Sequence, residues 1–138
     1  MATPDPWAAR LRTIRAAGLL CLAWLLVRLA PLRWWRRSLG PSPVLASRSD
    51  PVAARHLAAQ IERAAWRLPF TVKCLPQAIV LSWQLRRRAI EHRVVLAVRP
   101  PAMRDSDDTL HAWVECGEAI VLGELPGPWV RLAAPQDG

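Results

Sequence analysis

The order of the apolar patterns constrains this fold most: helical spacing fills the first two thirds of the chain and strand spacing the last third. From about Trp7 to Leu39, Leu11, Ile14, Gly18, Leu22, Leu25, Leu26 and Leu29 recur at intervals of three and four, with Pro31 marking a break or kink. Residues 40–51, opening with Gly40-Pro41-Ser42-Pro43, read as a linker. A second helix is predicted from Pro51 to Arg67, capped at Ser49-Asp50 with proline in the first helical position and ended by Leu68-Pro69. Cys74-Leu75-Pro76-Gln77 opens a third helix that runs into Arg86-Arg87-Arg88. Beyond it lie strands at His92–Arg99, His111–Glu115 and Glu118–Leu122, a short last one at Trp129–Leu132, and a loop at Pro100–Asp108. Helices followed by an antiparallel meander make the expected class α+β. The expected division is a helical arm over residues 1–45 and a core over 46–138.

A length of 138 residues suits one small core and excludes a two-domain cofactor enzyme; 52% hydrophobic and 22% charged residues exclude a disordered tail. The formal charge of +8 invites a reading of phosphate binding, but it is unevenly placed. Residues 1–50 hold eight arginines against Asp5 and Asp50, and residues 51–99 hold eight arginines and Lys73 against Glu62 and Glu91. The remainder holds only Arg104 and Arg131 against seven acids, so no continuous cationic surface for nucleic acid is written, and nucleic-acid binding is not expected.

Arg10, Arg12 and Arg15 precede an uninterrupted apolar run from Ala16 to Val27, the layout of a signal peptide. The run is too short to span a bilayer, which takes about 20 residues, and Arg28, Arg33, Arg36 and Arg37 follow with no small-residue cleavage site beside it. An arginine-studded helix is the simpler reading, with peripheral membrane contact as a further role. Cys21, Cys74 and Cys116 are widely spaced, with no CxxC pair, which suits a reducing cytoplasm. Asp105, Asp107 and Asp108 have no regular ligand spacing and read as a solvated loop. No metal and no cofactor is expected.

Cys74 stands at a helix start, where the dipole and free N–H groups favour a thiolate and could donate to an oxyanion. A cysteine in an apolar helix is otherwise a small buried hydrophobe. His111 is the candidate base. Strand alternation places His111, Trp113 and Glu115 on one face and Ala112 and Val114 on the other. If Cys116-Gly117 is a two-residue loop, Glu115 faces Glu118, Trp113 faces Ile120, His111 faces Leu122, and Glu124 lies diagonal to His111 as the orienting carboxylate. One extra loop residue would turn Glu124 to the other face. His56 beside Arg55 and His92 before Arg93 read as surface or structural histidines, Cys21 and Cys116 as bystanders, and Glu115 as a solvated hairpin charge.

Leu68-Pro69, Cys74-Leu75-Pro76-Gln77-Ala78, Leu85-Arg86-Arg87-Arg88 and His111-Ala112-Trp113-Val114-Glu115 with Gly117 after it, in that order, resemble the B2 proteins of lasso peptide biosynthesis, leader peptidases with a transglutaminase-like core. The resemblance also takes in the Leu/Arg-rich arm and the helix from Ala53 to Arg67. It implies a transglutaminase-like, papain-like cysteine protease that removes the leader of a ribosomally made precursor peptide, with Cys74 as nucleophile and His111 as base. The family usually supplies an aspartate after the histidine strand; this chain has Gly123 and Glu124 there, so Glu124 is the expected substitute. A separate leader-recognition protein and an asparagine-synthetase-like cyclase are the implied partners. The alternative is a catalytically silent transglutaminase-like module that docks partner proteins.

Overall fold

The computed structural model describes residues 3, 5–35, 40–41, 48–103, 110–125 and 127–132. Helix α1 spans Pro6–Leu29, opened by an Asp5 side chain that accepts from the Trp7 N–H and by proline in the first turn. It stops before Pro31, which forces Ala30 into an extended conformation (φ −95°, ψ 146°). The break expected at Pro31 is present, with a one-turn α2 at Leu32–Trp35 beyond it, and residues 36–39 of the expected helical stretch lie outside the described residues. Helix α3, Pro51–Arg67, repeats the same grammar: Asp50 caps the Ala53 N–H at 3.1 Å, and Leu68 is extended ahead of Pro69. Helix α4 runs from Cys74 to Arg87 and places Arg86 and Arg87 at the negative end of its dipole.

The sheet comprises β1 (Gly40–Pro41), β2 (Arg93–Val98), β3 (Leu110–Cys116), β4 (Ala119–Leu122) and β5 (Val130–Arg131). All pairings are antiparallel in the order β1-β2-β3-β4, while β5 crosses back to pair with β2. The architecture is α+β, as the period of the apolar residues predicts. It is not a plain meander, because the last strand skips two neighbours.

One face of the sheet meets the helices. Ala112, Val114 and Cys116 of β3 enter a single core with Leu57 and Ile61 of α3, Ile79, Leu81 and Leu85 of α4, and Ala16, Leu20 and Ala23 of α1. Helix α1 therefore shares its core with α3 and α4; the expected boundary at residue 45 lies outside the described residues. The opposite face carries a small second cluster of Val95, Ala97 and Trp113 with Ile120 and Trp129 against it.

The β3–β4 register differs from expectation. The turn is Gly117-Glu118, and the pairs are Cys116 with Ala119, Glu115 with Ile120 and, past an irregularity, Val114 with Leu122. Two causes act together. Cys116 is fully buried and continues the apolar alternation of Ala112 and Val114, so the strand keeps it, and Gly117 supplies the positive φ (+62°) that the turn needs.

Candidate active site

The N-cap of α4 is Lys73, whose side chain has no oxygen to accept from the first N–H groups of the helix and makes no cap hydrogen bond. Pro76 sits in that first turn without cost, since its missing N–H would have no intrahelical partner. The preceding loop is tied down by Gln77, whose Nε2 donates to the Val72 carbonyl at 2.9 Å. Cys74 is half-buried, and its Sγ accepts a hydrogen bond from the Ala112 N–H at 3.4 Å. That donor is available because β3 runs on beyond Leu122, the last paired residue of β4. A main-chain donor aimed at sulfur stabilises negative charge there, as does the helix terminus.

His111, one residue before Ala112 on β3, is buried, and it lines with Cys74 a cleft of about 710 Å³. Its Nε2 hydrogen-bonds the carbonyl oxygen of Gly123. A carbonyl can only accept, so Nε2 carries the proton and Nδ1 of the neutral ring holds the lone pair. The ring packs against both Trp129 (centroids 5.2 Å apart) and Trp113 (6.0 Å). Each indole is braced in turn. Arg99 lies over Trp129 at 4.6 Å, while Arg131 lies over Trp113 at 5.6 Å and pairs with Glu115 at 2.6 Å. Glu115 also accepts from the Trp113 indole N–H at 2.9 Å, so it anchors the histidine face where a solvated hairpin charge was expected.

Glu124 does not take up the position the assumed register gave it. It is exposed, and among the described residues it makes no hydrogen bond to His111; the acceptor is the main chain of its neighbour. The slip of register at Val114/Glu115 is the reason. Sequence reasoning missed Gly123, Trp129 and Arg131. The glycine signal was legible, since Gly123 has φ +84° and a Cβ there would stand 2.7 Å from the Ala112 carbonyl oxygen. The Trp129 and Arg131 contacts depend on the β2–β5 pairing, which no local pattern announces.

The other candidates fall away from the cleft. His92 is buried, with Nδ1 donating to the Ile90 carbonyl at 2.9 Å and Nε2 2.8 Å from the Ser82 hydroxyl, which fixes it as a neutral structural residue. Burial, with Arg86 nearby, pushes its pKa below the ordinary 6.5 in spite of the Ile90 hydrogen bond. Cys116 is fully buried and donates its S–H to the Glu91 carbonyl. Among the described residues no group of three or more His, Cys, Asp or Glu side chains could hold a metal ion; Asp105, Asp107 and Asp108 lie outside them.

A cysteine opening a helix, packed on an antiparallel sheet whose strand presents a histidine to the same cleft, is a thiol site on an α+β scaffold. The chain belongs to the transglutaminase-like superfamily, whose model matches residues 11–134. That superfamily includes cysteine peptidases. No curated protein and no solved structure matches the chain significantly.

Proposed function

We propose that this chain is a cysteine peptidase that removes the leader from a ribosomally synthesised lasso precursor peptide in the cytoplasm, acting with a separate leader-recognition protein and an asparagine-synthetase-like cyclase. The observation that carries the reading is the Cys74 Sγ at the start of α4, bonded to the Ala112 N–H, with His111 on the same cleft. The motif order of the sequence supports the choice of substrate class.

In this mechanism His111 Nδ1 removes the Cys74 thiol proton, and the thiolate attacks the scissile carbonyl carbon. The oxyanion that forms is received by N–H groups in the first turn of α4. The imidazolium returns its proton to the leaving amine as the C–N bond breaks, leaving a thioester on Cys74, which water activated by His111 then hydrolyses. Gly123 takes the orienting part through its carbonyl oxygen, holding the tautomer that leaves Nδ1 free to act. Arg28, Lys73 and Arg99 on the cleft walls suit a peptide segment bearing carboxylates.

The Cys74→Ala variant, assayed for precursor cleavage with the recognition protein and cyclase present, tests the reading. Loss of cleavage is expected; undiminished cleavage overturns it. A second reading, a catalytically silent module that docks partner proteins, draws on the absence of a carboxylate at His111 among the described residues. It predicts that a thiol-reactive probe labels Cys74 no faster than the other cysteines.

A further inference from the structure

Helix α1 is apolar on two opposite sides. Ala16, Leu20 and Ala23 point into the shared core. On the far side Trp7, Leu11, Ile14, Leu22, Leu25 and Leu29 are 44–79% exposed. At about 100° per residue these six fall within about 40° of one line along the helix. The line passes over Gly18, where an added Cβ would meet nothing within 4 Å. Arg10 and Arg28 lie about 80° to one side of this stripe and Arg15 about 60° to the other. The helix holds no acidic residue over its 24 positions. Monomeric soluble proteins seldom leave an apolar stripe of this length uncovered.

We propose that α1 lies flat on a negatively charged lipid surface, its leucine stripe sunk into the boundary between headgroups and acyl chains and its flanking arginines among the anionic headgroups. Neither the cleft at Cys74 nor the cavity bounded by Glu62, Trp66 and Phe70 takes in a stripe residue, so the stripe is a proud helix face that fits a plane. A second copy of the chain is a poor cover, because it would bring two acid-free rows of arginine together. The helix does not cross the bilayer: no helix among the described residues is long and apolar enough for that. Trp24, Val27 and Arg28 at the same helix's C-terminal end line the Cys74 cleft, so lipid binding would hold that cleft at the membrane surface.

The test is co-sedimentation of the full chain with vesicles of phosphatidylcholine containing about three-tenths phosphatidylglycerol, against vesicles of phosphatidylcholine alone. The account expects salt-sensitive pelleting with the anionic vesicles only. Each of Arg10→Ser and Arg15→Ser should weaken partition roughly fivefold, and Leu11→Ser/Ile14→Ser/Leu22→Ser should abolish it. These positions are exposed, so an unchanged circular dichroism spectrum and thermal midpoint show that the fold is intact. No pelleting, or pelleting that the triple variant leaves unchanged, overturns the proposal. So does a dimer in size exclusion that the triple variant dissolves, or binding to soluble polyglutamate without binding to vesicles, which would put a second copy or an acidic protein on the stripe.

Discussion

Gly123 carries two constraints at once. Its φ of +84° and its approach to the Ala112 carbonyl exclude a side chain, and its own carbonyl oxygen meets His111 Nε2. The Gly123→Ala substitution should therefore move the carbonyl and misplace the imidazole, lowering precursor cleavage by about a hundredfold if the histidine shifts by an ångström. Glu124→Gln, which alters an exposed charge that makes no hydrogen bond to the ring among the described residues, should leave cleavage within about twofold of the parent. The opposite ranking in a side-by-side assay would return the orienting part to the carboxylate. His92 gives a pH signature of a different kind. Its pKa is lowered in the folded protein, so the unfolded chain binds the extra proton first as the pH drops. The stabilisation is complete above the ordinary value of about 6.5 and is lost as the pH falls below it toward the depressed folded value. Thermal unfolding followed between neutral and mildly acidic pH should show this fall, and His92→Gln should flatten it.

The ends of the elements explain much of what could be read in advance. Asp5-Pro6 and Asp50-Pro51 start helices, and Pro31 and Pro69 stop them through the residue before each, because these signals act within a few bonds. The exit of α4 is a Schellman turn, with the Ile90 N–H bonded to the Leu85 carbonyl and the Ala89 N–H to the Arg86 carbonyl. Ala89 takes φ +52° there, a left-handed conformation that glycine would adopt without penalty. Ala89→Gly should accordingly raise stability by about 1 kcal/mol in urea unfolding, in spite of the added freedom of the unfolded chain. Strand register, by contrast, is set by contacts far apart in the chain. The alternation that separates His111 and Trp113 from Ala112 and Val114 was visible, and the same alternation extended one step would have kept Cys116 in the strand. The irregularity at Val114/Glu115 was not visible, since it satisfies the packing of β4 against the helices and not any preference of its own residues. The pairing of β5 with β2, which delivers Trp129 to His111, joins segments some thirty residues apart and has no local signature.

At the scale of the molecule, α1 packs into the same hydrophobic core as α3, α4 and the sheet. Leu20 is fully buried among residues of α3 and α4, and Trp24 packs against Phe70 beside the cleft, ring centroids 4.8 Å apart and planes tilted by 41°. Leu20→Ala should cost about 2–5 kcal/mol, and near-ultraviolet circular dichroism and Cys74 reactivity should be lost in the same thermal transition. Two separate transitions would show that the arm and the core fold independently. The charge asymmetry acquires a structural sense as well. The cationic two thirds supplies the helices with strands β1 and β2, and the acidic third supplies β3, β4 and β5, where Glu115 is spent on bracing Trp113. The central claim is that Cys74 is an activated nucleophile with His111 as its base. Site-resolved alkylation by iodoacetamide at neutral pH, followed by mass spectrometry on the full chain and on His111→Ala, tests it most directly. Cys74 should be modified much faster than Cys21 and Cys116, and that advantage should vanish in the variant. Equal, slow modification of all three cysteines, or a Cys74 rate untouched by the loss of His111, would contradict the account.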